Sequence, residues 1–331
     1  MINNKFTRRK FLDYAKLSFV FFLSSCQSLS KNISIGLHKK FIPEILLDSF
    51  PRNWIGENIN FKDKNFANIS RDKDIFLIND GWLNRLNLLE FSDISDSLFT
   101  KLDERSYKYL SNWDKSVRKK LFPIGVIPYA VIIKNNNQHK ITNRDSWDFL
   151  LSKKFTGKMI LPNSVRILIS IADKINNKNS IKALLNQENI YDDKNAIDWL
   201  INTDSVLAIM PITYCKKYLK FDSRLTILFP NQGVPLMWNF LLIRKNLNNK
   251  DLSDYIDKIS SKNITNKLTR DGWYLPFKNE YIQARNNNIL KAKKFDIQPS
   301  EECWKNSWSF SSLEETEKIK LEEFWKQSLT P

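Results

Sequence analysis

Glycine is scarce in this chain, with 7 glycines among 331 residues, and successive glycines are never closer than 20 residues. A glycine-rich phosphate loop, a dinucleotide-binding fingerprint and a G-x-S-x-G nucleophile elbow each need at least two glycines within a short segment. The sequence therefore excludes the common nucleotide-binding motifs and the hydrolases built on that elbow.

Histidine and cysteine are equally rare. The two histidines, His38 and His139, each precede a lysine, so we interpret them as solvated surface residues, and a helical H-E-x-x-H zinc site is excluded. Of the three cysteines, Cys215 and Cys303 are far apart in sequence. They form either one disulfide or two buried free thiols, and the second outcome is favoured. We expect no metal and no cofactor.

Acidic residues are outnumbered, since 52 Lys and Arg oppose 36 Asp and Glu, which gives a net charge of +16. Such an excess is typical of proteins that bind nucleic acid or anionic membranes. Here the basic residues are scattered, and the abundant Lys, Asn and Ile share AT-rich codons, so genome composition is the favoured explanation. No nucleic-acid partner is expected.

The N-terminal segment has no apolar run long enough to cross a bilayer, because Leu17 to Leu23 falls far short of the ~20 residues required. Thr7 to Leu12, with Arg8 and Arg9, resembles a twin-arginine export signal, and Leu23 to Cys26 resembles a lipobox. We therefore predict a signal over residues 1–25, lipidation of Cys26 and a tether over 26–32. The alternative is a buried N-terminal helix.

The rest of the chain alternates short apolar runs with amphipathic stretches, a pattern typical of α/β layers. Helical patterns cover Gly81 to Leu89, Ala196 to Ile201 and Asp251 to Ile259. A capping-box match at Ser312 to Glu315 predicts a C-terminal helix. The predicted strands are Asp74 to Ile78, Phe122 to Lys134 with an interruption at Pro128, Lys158 to Leu161, Val206 to Met210, Leu225 to Phe229 and Trp238 to Ile243.

Several segments resemble, in order, the extracellular solute-binding proteins of the spermidine/putrescine-binding type. The most specific of them is SWDFLLSKKFTGK, which begins at Ser146. The others are DIFLINDGWL from Asp74, IPYAV from Ile127, LPNSVR from Leu161, FPNQG from Phe229 with Trp238-Asn239, and GWYLP from Gly272.

This resemblance implies a two-lobed α/β periplasmic-binding-protein fold of type II, in which each lobe is a mixed sheet flanked by helices and a hinge joins the lobes. We place the two crossings near Pro128 to Val131 and Asn239 to Leu242. Lobe 1 would then comprise residues 33–129 plus 241–331, and lobe 2 residues 130–240. The expected protein is a monomer in the periplasm, held at a membrane only by its lipid anchor, which delivers a small solute to an ABC permease.

The resemblance does not fix the solute. The acids that hold ammonium groups in the family's polyamine binders would fall at Ser164, Ile167 and Asn239, where this chain has no carboxylate. Alternative solutes are a small carboxylate, a phosphate-bearing compound or a ferric complex, and Arg166 could hold such an anion. The predicted ligand-binding residues are Trp82, Tyr129, Asn163, Ser164, Arg166, Tyr214, Trp238, Asn239, Trp273 and Tyr274.

Two readings from other classes remain. A periplasmic enzyme derived from this fold is disfavoured because no catalytic acid-base pair or nucleophile stands out, so we expect the chain not to be an enzyme. The third reading is a scaffold without any ligand.

Overall fold

The computed structural model describes residues 32–61, 63–134, 146–192, 194–244, 249–279, 298–310 and 315–329. The predictions for the export signal, for Arg8 and Arg9 and for lipidation of Cys26 lie outside these residues, as does His139. Within the described ranges no helix combines the length and the apolar character that crossing a membrane requires.

The described residues form strands and mostly short helices that alternate along the chain. The strands are β1 Ile33–Leu37, β2 Trp54–Asn58, β3 Ile75–Asn79, β4 Phe122–Lys134, β5 Met159–Leu161, β6 Glu188–Tyr191, β7 Leu207–Pro211, β8 Leu225–Leu228 and β9 Leu236–Ile243. The α-helices are α1 Glu44–Leu47, α2 Phe66–Arg71, α3 Asp96–Phe99, α4 Glu104–Leu110, α5 Lys115–Arg118, α6 Val165–Ala172, α7 Ser180–Leu185, α8 Ala196–Asn202, α9 Ile212–Phe221, α10 Asn249–Ile259, α11 Lys262–Arg270, α12 Glu301–Asn306 and α13 Glu315–Leu329.

The strands form two mixed sheet halves that share β4. In the first half the order is β2-β1-β3-β9-β4, with β1 parallel to β2 and β3, and β9 antiparallel to β3 and β4. In the second half β4 is antiparallel to β7 and β8, and β5 is parallel to β6 and β7. Parallel pairs with helical crossovers leave both faces covered, which explains the nearly continuous burial of β1, β3, β5 and β7, whereas the edge strands β2 and β6 are largely exposed or half-buried.

Strand β4 passes from one half to the other without a break. The sequence predicts an interruption at Pro128, but all 13 residues are extended and buried. Phe122 to Pro128 pair with β9, and Tyr129 to Ile133 pair with β7. Pro128 has no N–H to donate, so it is tolerated at the residue where the strand changes partners. The structure thus replaces the predicted interruption with a change of partner.

The second passage between the halves lies earlier than the sequence suggests. Residues Asn239 to Leu242 pair with Asn79 to Phe76 inside the first half, so the crossing falls in residues 229–235, between β8 and β9. Helix α13 contacts α6 and α7, which follow the second-half strand β5, although the predicted boundaries assign it to lobe 1. The division into lobes stays a prediction, and the strand pairing favours these two shifts in it.

The structure decides the state of the two cysteines and the solvent exposure of His38. Cys215 and Cys303 are both buried and both free, so the favoured expectation of two thiols is confirmed. His38 is half-buried and its ring lies 4.1 Å from that of Phe41, so its interpretation as a solvated residue is wrong. The Phe41 ring covers part of the imidazole, which is itself partly apolar.

Candidate functional site

A cavity of about 610 Å³ lies where the two sheet halves meet. The segments that follow β3 and β5 supply opposite walls, as expected for a ligand site outside the carboxyl ends of parallel strands. Its volume is in the range of small-molecule sites. It is lined by Phe41, Asn79, Asp80, Gly81, Trp82, Tyr129, Asn163, Ser164, Arg166, Ile167, Tyr191, Asp192, Lys194, Tyr214, Leu236, Met237 and Phe310.

Six of the predicted ligand-binding residues line this cavity. Trp82 lies in the first half, Tyr129 lies where β4 changes partner, and Tyr214 lies in α9. The remaining three, Asn163, Ser164 and Arg166, occupy the turn after β5 and the start of α6. The structure therefore brings together side chains that lie far apart in sequence.

Trp273 and Tyr274 do not line the cavity, contrary to the sequence-based expectation. Trp273 is fully buried, and its Nε1 donates to the Ile124 carbonyl oxygen over 3.2 Å. Gly125 makes room for the indole, because a Cβ at that position would lie 2.1 Å from the ring. Tyr274 packs edge-to-face against Trp304 with 5.0 Å between ring centroids. Both aromatics are part of the core beside β4.

Trp238 and Asn239 are also absent from the cavity lining. The Trp238 indole stacks on Tyr109 at 4.7 Å, and its Nε1 donates to Ser309 Oγ over 2.7 Å. It lines a separate cavity of about 450 Å³. Asn239 is buried in β9 opposite Asn79. Successive residues of a strand face opposite sides, and Trp238 lies on the side of β9 that borders the separate cavity, opposite to its neighbour Met237.

Asp80 is the main functional candidate that sequence reasoning missed. It follows β3 directly, and its Oδ1 accepts from the Gly81 N–H over 3.0 Å. Its Oδ2 is fully buried and has no hydrogen-bond partner among the described residues. Burial raises the pKa of Asp80 to about 7, against the lowering effects of the Trp238 and Gly81 N–H groups and the charge of Arg166. The signal available in the sequence was an acid at a strand end beside Trp82.

Arg166 supplies the opposite charge from the second half. Its guanidinium carbon lies 4.7 Å from the centroid of the Phe310 ring, a cation–π contact. Burial lowers the pKa of the Arg166 guanidinium, and the charges of Asp80, Tyr109 and Glu317 raise it. Among the side chains the structure describes, no hydrogen bond or ion pair holds this guanidinium. A guanidinium has five N–H donors, which suit it to binding an anionic ligand.

Asp192 and Lys194 complete the charged lining. Asp192 accepts hydrogen bonds from the backbone N–H groups of Lys194 and Asn195 and from the side chains of Asn195 and Trp199, at 2.8 to 3.1 Å. Although burial alone raises the pKa of Asp192, these hydrogen bonds lower it below its ordinary value. Asp192 therefore shapes its own loop, and Lys194 is exposed at the rim.

Aromatic rings provide much of the remaining wall, and Phe41 and Tyr191 among them were not predicted. The ring centroids of Phe41 and Tyr214 lie 5.9 Å apart, and the Tyr191 ring packs edge-to-face against Trp325 of α13. Such rings can enclose a methylene chain and stabilise a cation above their faces. In the described ranges no three His, Cys, Asp or Glu side chains are grouped so as to hold a metal ion.

No protein-family model and no curated protein matches the chain. Solved structures do. A spermidine/putrescine ABC transporter substrate-binding protein of Streptococcus pneumoniae is 12% identical, with 90% of this chain and 98% of that chain covered and a TM-score of 0.66.

Two further structures extend the comparison. A lipoprotein of Treponema pallidum is 12% identical, with 89% and 98% covered and a TM-score of 0.60. A ferric binding protein of Campylobacter jejuni is 16% identical, with 90% and 97% covered and a TM-score of 0.56. Identities this low show the fold alone. The chain has the two-lobed α/β fold of the periplasmic binding proteins, so the predicted fold class is confirmed.

Proposed function

We propose that the chain is the solute-binding component of an ABC importer. It binds a small solute between its two sheet halves, closes by a hinge motion and delivers the solute to a permease in the inner membrane. The observation that carries this proposal is the cavity whose opposite walls come from the segments after β3 and β5. Supporting it is the fold shared with substrate-binding proteins for polyamines and with a ferric binding protein.

The proposed protein acts as a monomer, binds no nucleic acid and has no enzymatic activity. Export as a lipoprotein, with Cys26 as the anchored residue, would hold it in the periplasm at a membrane surface. A polyamine is the solute that the family resemblance suggests. However, Ser164 and Ile167 line the cavity without contributing a charge, so a polyamine would lack two of the carboxylates that it needs.

The test is a thermal-shift screen of the purified protein without its signal segment. The panel contains putrescine, spermidine, amino acids, small carboxylates, phosphate esters and ferric complexes. One compound class should raise the melting temperature, because a ligand at 100 times its Kd stabilises the native state by about 2.7 kcal/mol. A melting temperature that no compound changes would contradict solute binding.

Two tryptophan variants locate the site within the same screen. Trp82→Ala should weaken the response to the active compound with little loss of stability, because Trp82 is a half-buried cavity residue. Trp273→Ala should instead lower the melting temperature, since removing a fully buried Trp costs about 3 to 5 kcal/mol. An unchanged ligand affinity in Trp82→Ala would place the site elsewhere.

A further inference from the structure

We infer that the cleft recognises a zwitterion: a small molecule with a primary ammonium group at one end and a carboxylate or phosphonate at the other. Asp80 of the first half would bind the ammonium, and Arg166 of the second half would bind the anion. This inference rests on the proposed solute-binding function and specifies the substrate class of the same site.

The carboxylate of Asp80 needs a cationic or hydrogen-bonding partner. The Gly81 N–H donates to Oδ1, and Oδ2 is buried with no hydrogen-bond partner among the described residues. A buried acceptor without a donor is unfavourable, so a proton or a ligand must supply one. A primary ammonium carries three donors and a compensating charge. It therefore satisfies both the hydrogen bonding and the charge of Asp80.

The guanidinium of Arg166, on the other side of the cavity, needs an anionic partner. The Phe310 ring lies 4.7 Å from the guanidinium carbon, a contact that is made through the π face of the ring and uses none of the N–H donors in a hydrogen bond. Planar N–H pairs match the oxygens of carboxylates and phosphonates in a bidentate geometry. Asp80 and Glu317 act on Arg166 through their charges, and no hydrogen bond to a described carboxylate occupies the guanidinium.

The other charges of the cavity do not change this balance. Asp192 already accepts four hydrogen bonds from its own loop, and Lys194 is exposed. Asp192 keeps its charge but has its oxygens occupied, so Asp80 and Arg166 are the half-buried charged groups of the lining whose hydrogen bonds a ligand would complete. A diamine would meet a single acid and be repelled by Arg166, whereas a dicarboxylate would be repelled by Asp80. Only a ligand of mixed charge pairs with both, and the aromatic walls enclose the carbons between its ends.

The experiment compares three ligands of the same four-carbon length by isothermal titration calorimetry at pH 8. Putrescine carries two cations, succinate two anions and 4-aminobutyrate one of each. Glycine, β-alanine, 5-aminopentanoate, 6-aminohexanoate and 3-aminopropylphosphonate test the spacing and the type of anion. We expect at least one zwitterion to bind at least tenfold more tightly than putrescine and succinate. Tighter binding of either symmetric ligand, or no binding by any zwitterion, overturns the inference.

Three variants test which residue binds the ammonium end of the ligand and which binds the anionic end. Arg166→Gln should weaken the best zwitterion at least tenfold without weakening putrescine, and Asp80→Asn should weaken the zwitterion without weakening succinate. Lys194→Gln removes another cation of the same cavity and should change affinity less than twofold. Equal losses in Lys194→Gln and Arg166→Gln would refute the assignment of the anion to Arg166. Should a variant fail to fold, the ranking of ligands by the unmodified protein still decides.

The outcome also separates this inference from the proposed function. If putrescine, a ferric complex or another member of the thermal-shift panel binds and no zwitterion does, the chain remains a solute-binding protein and only the substrate class is wrong. If Asp80 and Arg166 merely paired with each other on closure, both variants would alter all ligands alike, which also refutes the inference.

Discussion

The buried carboxylate of Asp80 opposes the stability of the fold that contains it. Its pKa of about 7 stands against an ordinary value of 3.8, mainly because of burial. Between these values the folded state holds a proton that the unfolded state has released, so the free energy of unfolding falls as the pH rises from about 4 to 7. The full difference corresponds to at most about 4 kcal/mol, at 1.36 kcal/mol for each pKa unit. Binding-site residues that lower the stability of the folded protein are common.

Asp80→Asn should therefore stabilise the protein, and more so at alkaline pH. Relative to the unmodified protein, its free energy of unfolding should increase by about 3 kcal/mol between pH 5 and pH 8. Arg166 and Tyr109 are the other titratable groups that interact with Asp80, and neither changes charge in this range. Urea denaturation at both pH values measures the difference.

Asp192→Asn is the matched control from the same cavity. The pKa of Asp192 is lowered by hydrogen bonds, so the stability that this carboxylate contributes is lost only as the pH falls below its ordinary range. Its effect should be the same at pH 5 and at pH 8. An equally flat difference for Asp80→Asn would show that Asp80 titrates normally.

Strand β4 shows how one element both supports the core and positions the cavity. Its first part packs Gly125 against the buried Trp273 indole, and its second part begins with Tyr129 at the cavity wall. The absence of a side chain at Gly125 is a steric requirement here, because the indole occupies the space that a Cβ would need.

Gly125→Ala should destabilise the protein by about 1 to 3 kcal/mol, the usual cost of overpacking a core. The added Cβ would lie 2.1 Å from Trp273, so the ring or the strand must move. Urea denaturation at fixed pH measures the effect.

Gly56→Ala provides the comparison in another strand. Its Cβ would come no closer than 3.3 Å, to the end of the Leu37 side chain. We expect a change within about 0.5 kcal/mol. A similarly small change in Gly125→Ala would mean that the packing of Trp273 is looser than the structure shows.

At the scale of the whole molecule, two sheet halves meet around a cavity and are joined by β4, by residues 229–235 and by the chain that leads to α13. A two-lobed protein of this fold closes by small changes in such connections. For import the closed form must reach a permease, and a lipid anchor on the segment before β1 would keep it at the membrane. This part of the proposal depends on residues outside those the structure describes.

Cys26→Ser should release the protein from the membrane fraction, because serine lacks the thiol that is acylated. Cell fractionation and immunoblotting of the expressed full chain measure the distribution. Cys303→Ser, which alters a buried thiol far from the N-terminus, should leave the protein in the membrane fraction. Retention of Cys26→Ser in the membrane fraction would contradict lipid anchoring.

Local patterns in the sequence were sufficient for the α/β class and for most strands, but not for most of the short helices. Apolar runs identified β3, β5, β7 and β8 to within one or two residues, because burial on both faces leaves a continuous apolar signal. Serine favours the position before a helical turn, and the Ser146 side chain accepts from the Asp148 N–H there. Trp82, Tyr129 and Arg166, predicted from the sequence to bind the ligand, all line the cavity: Trp82 and Arg166 lie in the segments after β3 and β5, and Tyr129 lies where β4 changes partner.

Only the tertiary structure decided which side of each strand faces the cavity and which distant groups meet there. Trp238 and Trp273 are buried away from the cavity, whereas Asp80 comes within electrostatic range of Arg166. A one-residue step reverses the direction of a strand side chain, so an aromatic at a strand does not by itself indicate a binding site. The unmet hydrogen bond of Asp80 exists only in the folded chain, because burial, not sequence, removes the water that would otherwise satisfy it.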